Sequence, residues 1–151
     1  MNIFLVISYL LSGLFIPNQW NDAEEIGLTS VNHITLYDDV AVVIEKKGAP
    51  NDVTIDPYFE EYVTLTYSDM EISFRDNAIQ QIQIGHREET LFLGGTEVQA
   101  TVEAIRSALG EPDYVAEDGL VFQRKEALLK LYINQESGKL ETITYYHIAS
   151  T

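Results

Sequence analysis

Gly48-Ala49-Pro50 closes one run of helix-spaced apolar residues, and Gly110-Glu111-Pro112 closes a second run 62 positions later. Glycine suits the left-handed residue that ends a helix, and proline cannot continue one. Ahead of the first stop stand Leu36, Val40, Val43 and Ile44; ahead of the second stand Val98, Val102, Ile105, Ala108 and Leu109. Both sets fall on one helical stripe. The same shift lays Val40 on Val102, Val43 on Ile105 and Asn51 on Asp113, and a shift of 61 lays Ile79, Ile82 and Ile84 on Leu140, Ile143 and Tyr145. Nearly the same offset serving a helix, its stop and a distant strand predicts a duplicated unit.

Local signals fill in each unit. Thr35 is placed to cap the first helix, and Lys46-Lys47 sit where cations favour a helix C-terminus. Gly95-Thr96-Glu97-Val98-Gln99 reads as the start of the second helix, with Thr96 and Gln99 forming a capping box. Strands are expected at 62–67, 70–74 and 79–84, with turns at Ser68-Asp69 and Asp76-Asn77. In the second unit they are expected at 120–122, 127–133 and 140–146, with a turn across 135–139. Val63 and Leu65 alternate with Tyr62, Thr64 and Thr66, the pattern of a strand with one wet face. The predicted class is α+β: two tandem helix-plus-three-strand repeats, about 28–85 and 91–148, forming one antiparallel sheet with helices on one face.

Residues 3–16 read IFLVISYLLSGLFI and are followed by Pro17 and an acidic stretch from Asp22. The run is shorter than the roughly 20 apolar residues of a spanning helix and matches the length of a signal-peptide core. It lacks a preceding Lys or Arg and a following A-x-A site, and Leu14 stands where a lipobox (Leu11-Ser12-Gly13) would need cysteine. Residues 1–20 are therefore read as a signal-like or membrane-anchor segment, with membrane contact through 1–16, and 21–151 as a single domain. The other reading makes the run a structural element of a cytoplasmic chain.

The helix start at Gly95-Thr96, the ending Leu109-Gly110-x-Pro112 and the closing strand Leu140-x-x-Ile143-x-Tyr145 together resemble the BamE (SmpA/OmlA) family. The same pattern looks like the repeats of β-lactamase-inhibitor-protein-like domains, in which two α/β units share a sheet. The likeness covers about 28–148 as two copies. It implies an exported, non-enzymatic protein-binding module with no catalytic residues to carry over.

Charge narrows the partner. With 24 acidic and 9 basic side chains the net charge is -15, which opposes binding to a phosphate backbone, so no nucleic-acid partner is expected. The absence of cysteine excludes a disulfide framework, a thiolate metal site and a cysteine nucleophile. His33, His86 and His147 are far apart and form no H-x-x-x-H pattern, and no G-x-S-x-G elbow or phosphate loop occurs. Neither an enzyme nor a cofactor or metal site is predicted.

Carboxylates cluster after each helix: Asp52, Asp56, Glu60 and Glu61 in one loop, Glu111, Asp113, Glu117 and Asp118 in the other. Neither loop has a calcium-loop ligand order. Aromatics accompany them, with Tyr58, Phe59 and Tyr62 in the first and Tyr114 and Phe122 in the second. Aromatic anchors concentrate interface energy and an acidic field speeds the approach of a basic protein. Tyr58, Phe59, Glu60, Glu61, Tyr62, Asp113, Tyr114, Glu117, Asp118 and Phe122 are therefore the candidate binding residues. A plain solvated surface with aromatic core rims is the alternative. The function expected is an extracytoplasmic interaction or inhibitor-like module; an immunity-type cytoplasmic protein facing a basic toxin and an envelope scaffold are the alternatives.

Overall fold

In the computed structural model, residues 26–85 and 87–150 are described. The 3–16 run and His86, and the expectations placed on them, lie outside the described residues. Two short helices, α1 (Val40–Lys47) and α2 (Val102–Leu109), are embedded in ten strands among the described residues. The strands are β1 (Asp52–Ile55), β2 (Tyr62–Thr66), β3 (Glu71–Arg75), β4 (Ala78–Gly85), β5 (Thr90–Leu93), β6 (Thr96–Gln99), β7 (Tyr114–Ala116), β8 (Gly119–Arg124), β9 (Ala127–Ile133) and β10 (Leu140–His147). A short 3-10 turn, Ile148–Ser150, follows.

Eight strands form one sheet in the order β1-β2-β3-β4-β10-β9-β8-β7, every neighbouring pair antiparallel. Tight turns explain why consecutive strands pair. Asp76 and Asn77, both at positive φ (49° and 63°), join β3 to β4 as the mirror-image turn that matches strand twist. The central seam sets Ile84 against Ile143 and Ile82 against Tyr145. Alternation sends Leu65, Ile72, Phe74, Ile82, Leu131 and Phe122 to one face, where all are buried. That face is covered by α1, α2, the β5–β6 hairpin and the segment containing Leu28, Val31, Ile34 and Leu36. The other face carries Thr64, Ser73, Gln81, Gln83, Thr142, Lys130 and Tyr132.

Polar contacts seat the cover. Asp39 caps α1 through its carboxylate and the Val42 amide (2.9 Å), while the Val40 amide donates to Asn77 in the β3–β4 turn (3.1 Å). At the other end Lys47 pairs with Asp69 at 2.9 Å, and the Tyr67 hydroxyl donates to the Gly48 carbonyl at 3.0 Å. Arg124 from β8 donates to the Leu109 carbonyl, satisfying the end of α2. The buried Tyr145 hydroxyl donates to the Leu28 carbonyl at 2.7 Å, tying the leading segment to the sheet.

The predicted class is corrected. The described residues are mostly β, with two helices of eight residues each, and do not form two helix-plus-three-strand repeats. The edge strands β1 and β7 and the β5–β6 hairpin are absent from the sequence reading. The expected helix start at Thr96 fails because Gly94 and Gly95 both take positive φ (56° and 86°) and close a two-residue hairpin, which sends Thr96–Gln99 into β6. Thr101 is the N-cap of α2, accepting from the Ala104 amide at 3.1 Å. Thr35 likewise caps nothing helical; its hydroxyl bonds the Asp38 carboxylate at 2.9 Å, and Leu36 is buried ahead of α1.

Candidate protein-binding surface

The loop from β1 to β2 is organised by one carboxylate. Asp56 accepts from the Tyr58 amide (2.8 Å) and the Phe59 amide (3.0 Å), an Asx turn that holds the backbone without help from the core. The Tyr62 amide donates to the Phe59 carbonyl at 2.9 Å and the Asp56 amide to the Tyr62 carbonyl at 3.0 Å, closing the loop. Its aromatics are thereby turned outward: Tyr58 is 87% exposed and Phe59 57%. Phe59 meets Tyr62 edge-on, ring centroids 6.2 Å apart, and the Arg75 guanidinium lies 5.3 Å from the Tyr62 ring centroid. Glu60 is exposed and Glu61 half-buried beside them.

The second set is built differently. Asp113 accepts from the Gln123 amide at 2.7 Å and from Arg124 at 3.4 Å, so it fastens the start of β7 to β8. Tyr114 is exposed, its hydroxyl on Gln123 at 3.2 Å. Glu117 and Asp118 form the β7–β8 turn; Asp118 pairs with Lys130 at 2.9 Å, and that hydrogen bond holds its carboxyl below the usual carboxylate range. Phe122 is fully buried, a core residue of β8 with no surface to offer.

The two sets do not come together. β1 and β7 are the opposite edges of the sheet, roughly 34 Å apart along it at the usual strand spacing of about 4.8 Å. An odd number of antiparallel steps separates them, so the β1–β2 loop and the β7–β8 turn also point to opposite ends. Glu117 and Asp118 thus occupy the corner diagonal to the loop, while Asp113 and Tyr114, at the start of β7, share its end but stand on the far edge, and neither part can grip one small ligand jointly with it.

Two features were missed from the sequence. β1 places Val53 and Ile55 at 50% and 56% exposure beside the aromatic loop, and β7 places Val115 at 77%. The Val-x-Ile alternation following Pro50 is the signal that marks β1. The other feature is a Tyr37–Glu126–His147 cluster. Glu126 accepts from the Tyr37 hydroxyl at 2.7 Å and faces His147 Nε2 at 3.1 Å, while His147 Nδ1 accepts from the Ala149 amide at 3.0 Å. Nε2 therefore carries the proton. Hydrogen bonds from Tyr37 and His147 lower the Glu126 carboxyl, and Glu126 raises the Tyr37 hydroxyl. Beside it opens a cavity of about 780 Å³ bounded by Leu28, Leu36, Tyr37, Lys125, Glu126 and Tyr145. No His, Asp and Glu group suited to a metal ion occurs among the described residues, and none of their helices is long and apolar enough to cross a membrane.

No family model and no curated protein matches the chain. Among solved structures it is similar in fold to an extracellular protein containing a SCP domain from Bacillus anthracis str. Ames, with a TM-score of 0.52 at 10% identity. The match covers 74% of this chain and 44% of that protein, so the chain spans less than half of that length. A cysteine-rich secretory protein from Staphylococcus aureus matches with a TM-score of 0.45 at 12% identity, covering 74% of this chain and 44% of that one. A DUF4309 family protein from Bacillus subtilis also matches at 0.45 with 16% identity, covering 72% and 78%. These neighbours are neither BamE-like nor β-lactamase-inhibitor-protein-like, which corrects the family resemblance drawn on 28–148. A helix stop followed by alternating strands is a skeleton that unrelated α+β chains share.

Proposed function

We propose that the chain is an extracytoplasmic module that acts by binding another protein, without catalysis, through the β1–β2 corner. The observation that carries this reading is the pair of aromatic side chains, Tyr58 and Phe59, held outward by the Asp56 turn amid Glu60 and Glu61. A large ring exposed on an ordered backbone loses little conformational freedom on binding, which is what makes aromatic anchors effective. The surrounding acids favour a basic partner. The similar fold of an extracellular protein and the signal-like run at 3–16 support export.

Capture of proteins from the extracellular and membrane fractions of producing cells tests this. The wild-type chain is compared with Tyr58→Ala/Phe59→Ala/Glu60→Lys, and circular dichroism and melting verify that the variant is folded. At least a tenfold loss of one saturable partner is expected. Equal capture by both proteins overturns the reading.

A further inference from the structure

β1 is a sheet edge whose hydrogen-bonding register is fixed by its neighbour. The strand pairs Ile55 with Val63 and Val53 with Leu65, and the Asp56 amide donates to the Tyr62 carbonyl one step further on. Antiparallel pairs alternate between bonded and non-bonded. The bonded pairs are thus those of Asp56, Thr54 and Asp52. The amide and carbonyl groups of Val53 and Ile55 point the other way, to the open edge.

Edge strands are commonly blunted by an inward charge, a bulge or a covering loop. Among the described residues β1 has none of these along Val53 to Ile55; its guards are its four-residue length and the preceding Pro50. On the covered face of the sheet Val53 and Ile55 continue the row of Leu65 and Val63, half exposed where the core runs out. On the opposite face stand Asp52 and Thr54, and the adjoining loop adds Glu60 and Glu61. The edge therefore presents three things in register: free main-chain groups, an apolar rim on one side and negative charge on the other.

We infer that β1 accepts an extended segment of a partner protein as an added antiparallel or parallel ninth strand, one in which apolar residues alternate with lysine or arginine. The apolar residues extend the rim of Val53 and Ile55, and the cations meet Asp52 and the loop acids. Main-chain bonds supply the attachment and the alternation supplies the selectivity. Tyr58 and Phe59 then flank the end of the added strand. This inference rests on the proposal that the β1–β2 corner is the binding surface, and names the partner's chemistry there.

The probe is a synthetic seven-residue peptide, Val-Lys-Val-Lys-Val-Lys-Val, added to the isotopically labelled full chain at low salt. Its controls are the same peptide N-methylated at alternate residues and the Val/Glu analogue. Amide resonances of 53 and 55 are expected to shift with saturation, with at least tenfold weaker binding for both controls. Val53→Pro removes an edge-facing amide that the sheet does not use, so the fold is kept and binding falls at least tenfold. Ile55→Lys is the second variant and lowers affinity by replacing the apolar rim that meets the peptide's valines with a charge.

Binding that survives N-methylation and Val53→Pro but is lost in Tyr58→Ala/Phe59→Ala overturns strand addition and leaves the aromatic corner standing. Absence of saturable shifts at 53 and 55 up to millimolar peptide overturns strand addition as well. Concentration-dependent self-association abolished by Val53→Pro, without peptide binding, makes a second copy the occupant and also overturns it.

Discussion

Single atoms decide much at the residue scale. A Cβ on Gly119 would lie 1.8 Å from the Leu131 carbonyl oxygen of the paired strand. That contact cannot be relieved by a side-chain rotation, because the obstacle is backbone. Gly119→Ala is expected to destabilise the chain by about 2–3 kcal/mol or to displace β8, read from the urea midpoint and near-ultraviolet circular dichroism. Tyr145 is the complementary case, a buried hydroxyl satisfied by one carbonyl. Burial pushes its ionisation well above the ordinary value, assisted by the negative charge of neighbouring groups. A raised folded-state pKa contributes stability that is complete below the unfolded value of about 10 and is lost as pH rises past it. Alkaline titration of stability should therefore fall steeply above about pH 10. Tyr145→Phe should flatten that limb while costing about 1 kcal/mol at neutral pH through the orphaned Leu28 carbonyl.

The helix ends were legible at the element scale, and the helix starts were not. Gly48 and Gly110 both sit at positive φ (84° and 82°) just after α1 and α2, where Pro50 and Pro112 follow. These stops act through local backbone sterics, so the chain itself carries them. Starts are more ambiguous, because Thr, Ser and Asp cap helices and open turns alike. In sequence Thr35 and Thr96 read as the caps; the Gly94-Gly95 hairpin and the Asn77 contact to the Val40 amide go with Thr101 and Asp39 instead. Thermal melts discriminate the assignment. Thr101→Ala is expected to cost about 1 kcal/mol, and Thr96→Ala, on an exposed strand position, less than about 0.5 kcal/mol. The candidate loop shows the same division. Tyr58, Phe59 and the acids around them were readable from composition, whereas the flanking strand was passed over because four residues with one alternation are too short a signal.

Charge and layout govern the whole molecule. A net charge of -15 on a chain of 151 residues repels itself most when folded. Raising sodium chloride from about 0.01 M to 0.15 M shortens the screening length from about 30 to 8 Å, so the melting temperature should rise with salt while affinity for a basic peptide falls. A melting temperature that drops with salt would refute the first expectation. The placement of the two acidic-aromatic sets on opposite edges of the sheet makes them independent. Tyr114→Ala should leave peptide binding at the β1 corner within about twofold in the same titration, since sites so far apart with no shared partners do not couple.

Helix stops, tight turns and the inward-outward alternation of the long strands belonged to the sequence alone, because each depends on residues within a few positions of one another. Which strands became edges, which face was covered and by what, and where the two acidic loops ended up were decided only by tertiary structure. Those outcomes depend on pairing partners far along the chain: β4 finds β10, and the seam between them sends β1 and β7 to opposite edges. Phe122 shows the consequence on a single side chain. It stands in an aromatic, acidic stretch of sequence, yet it is buried because its strand alternation, once β8 pairs with β9, turns it to the covered face.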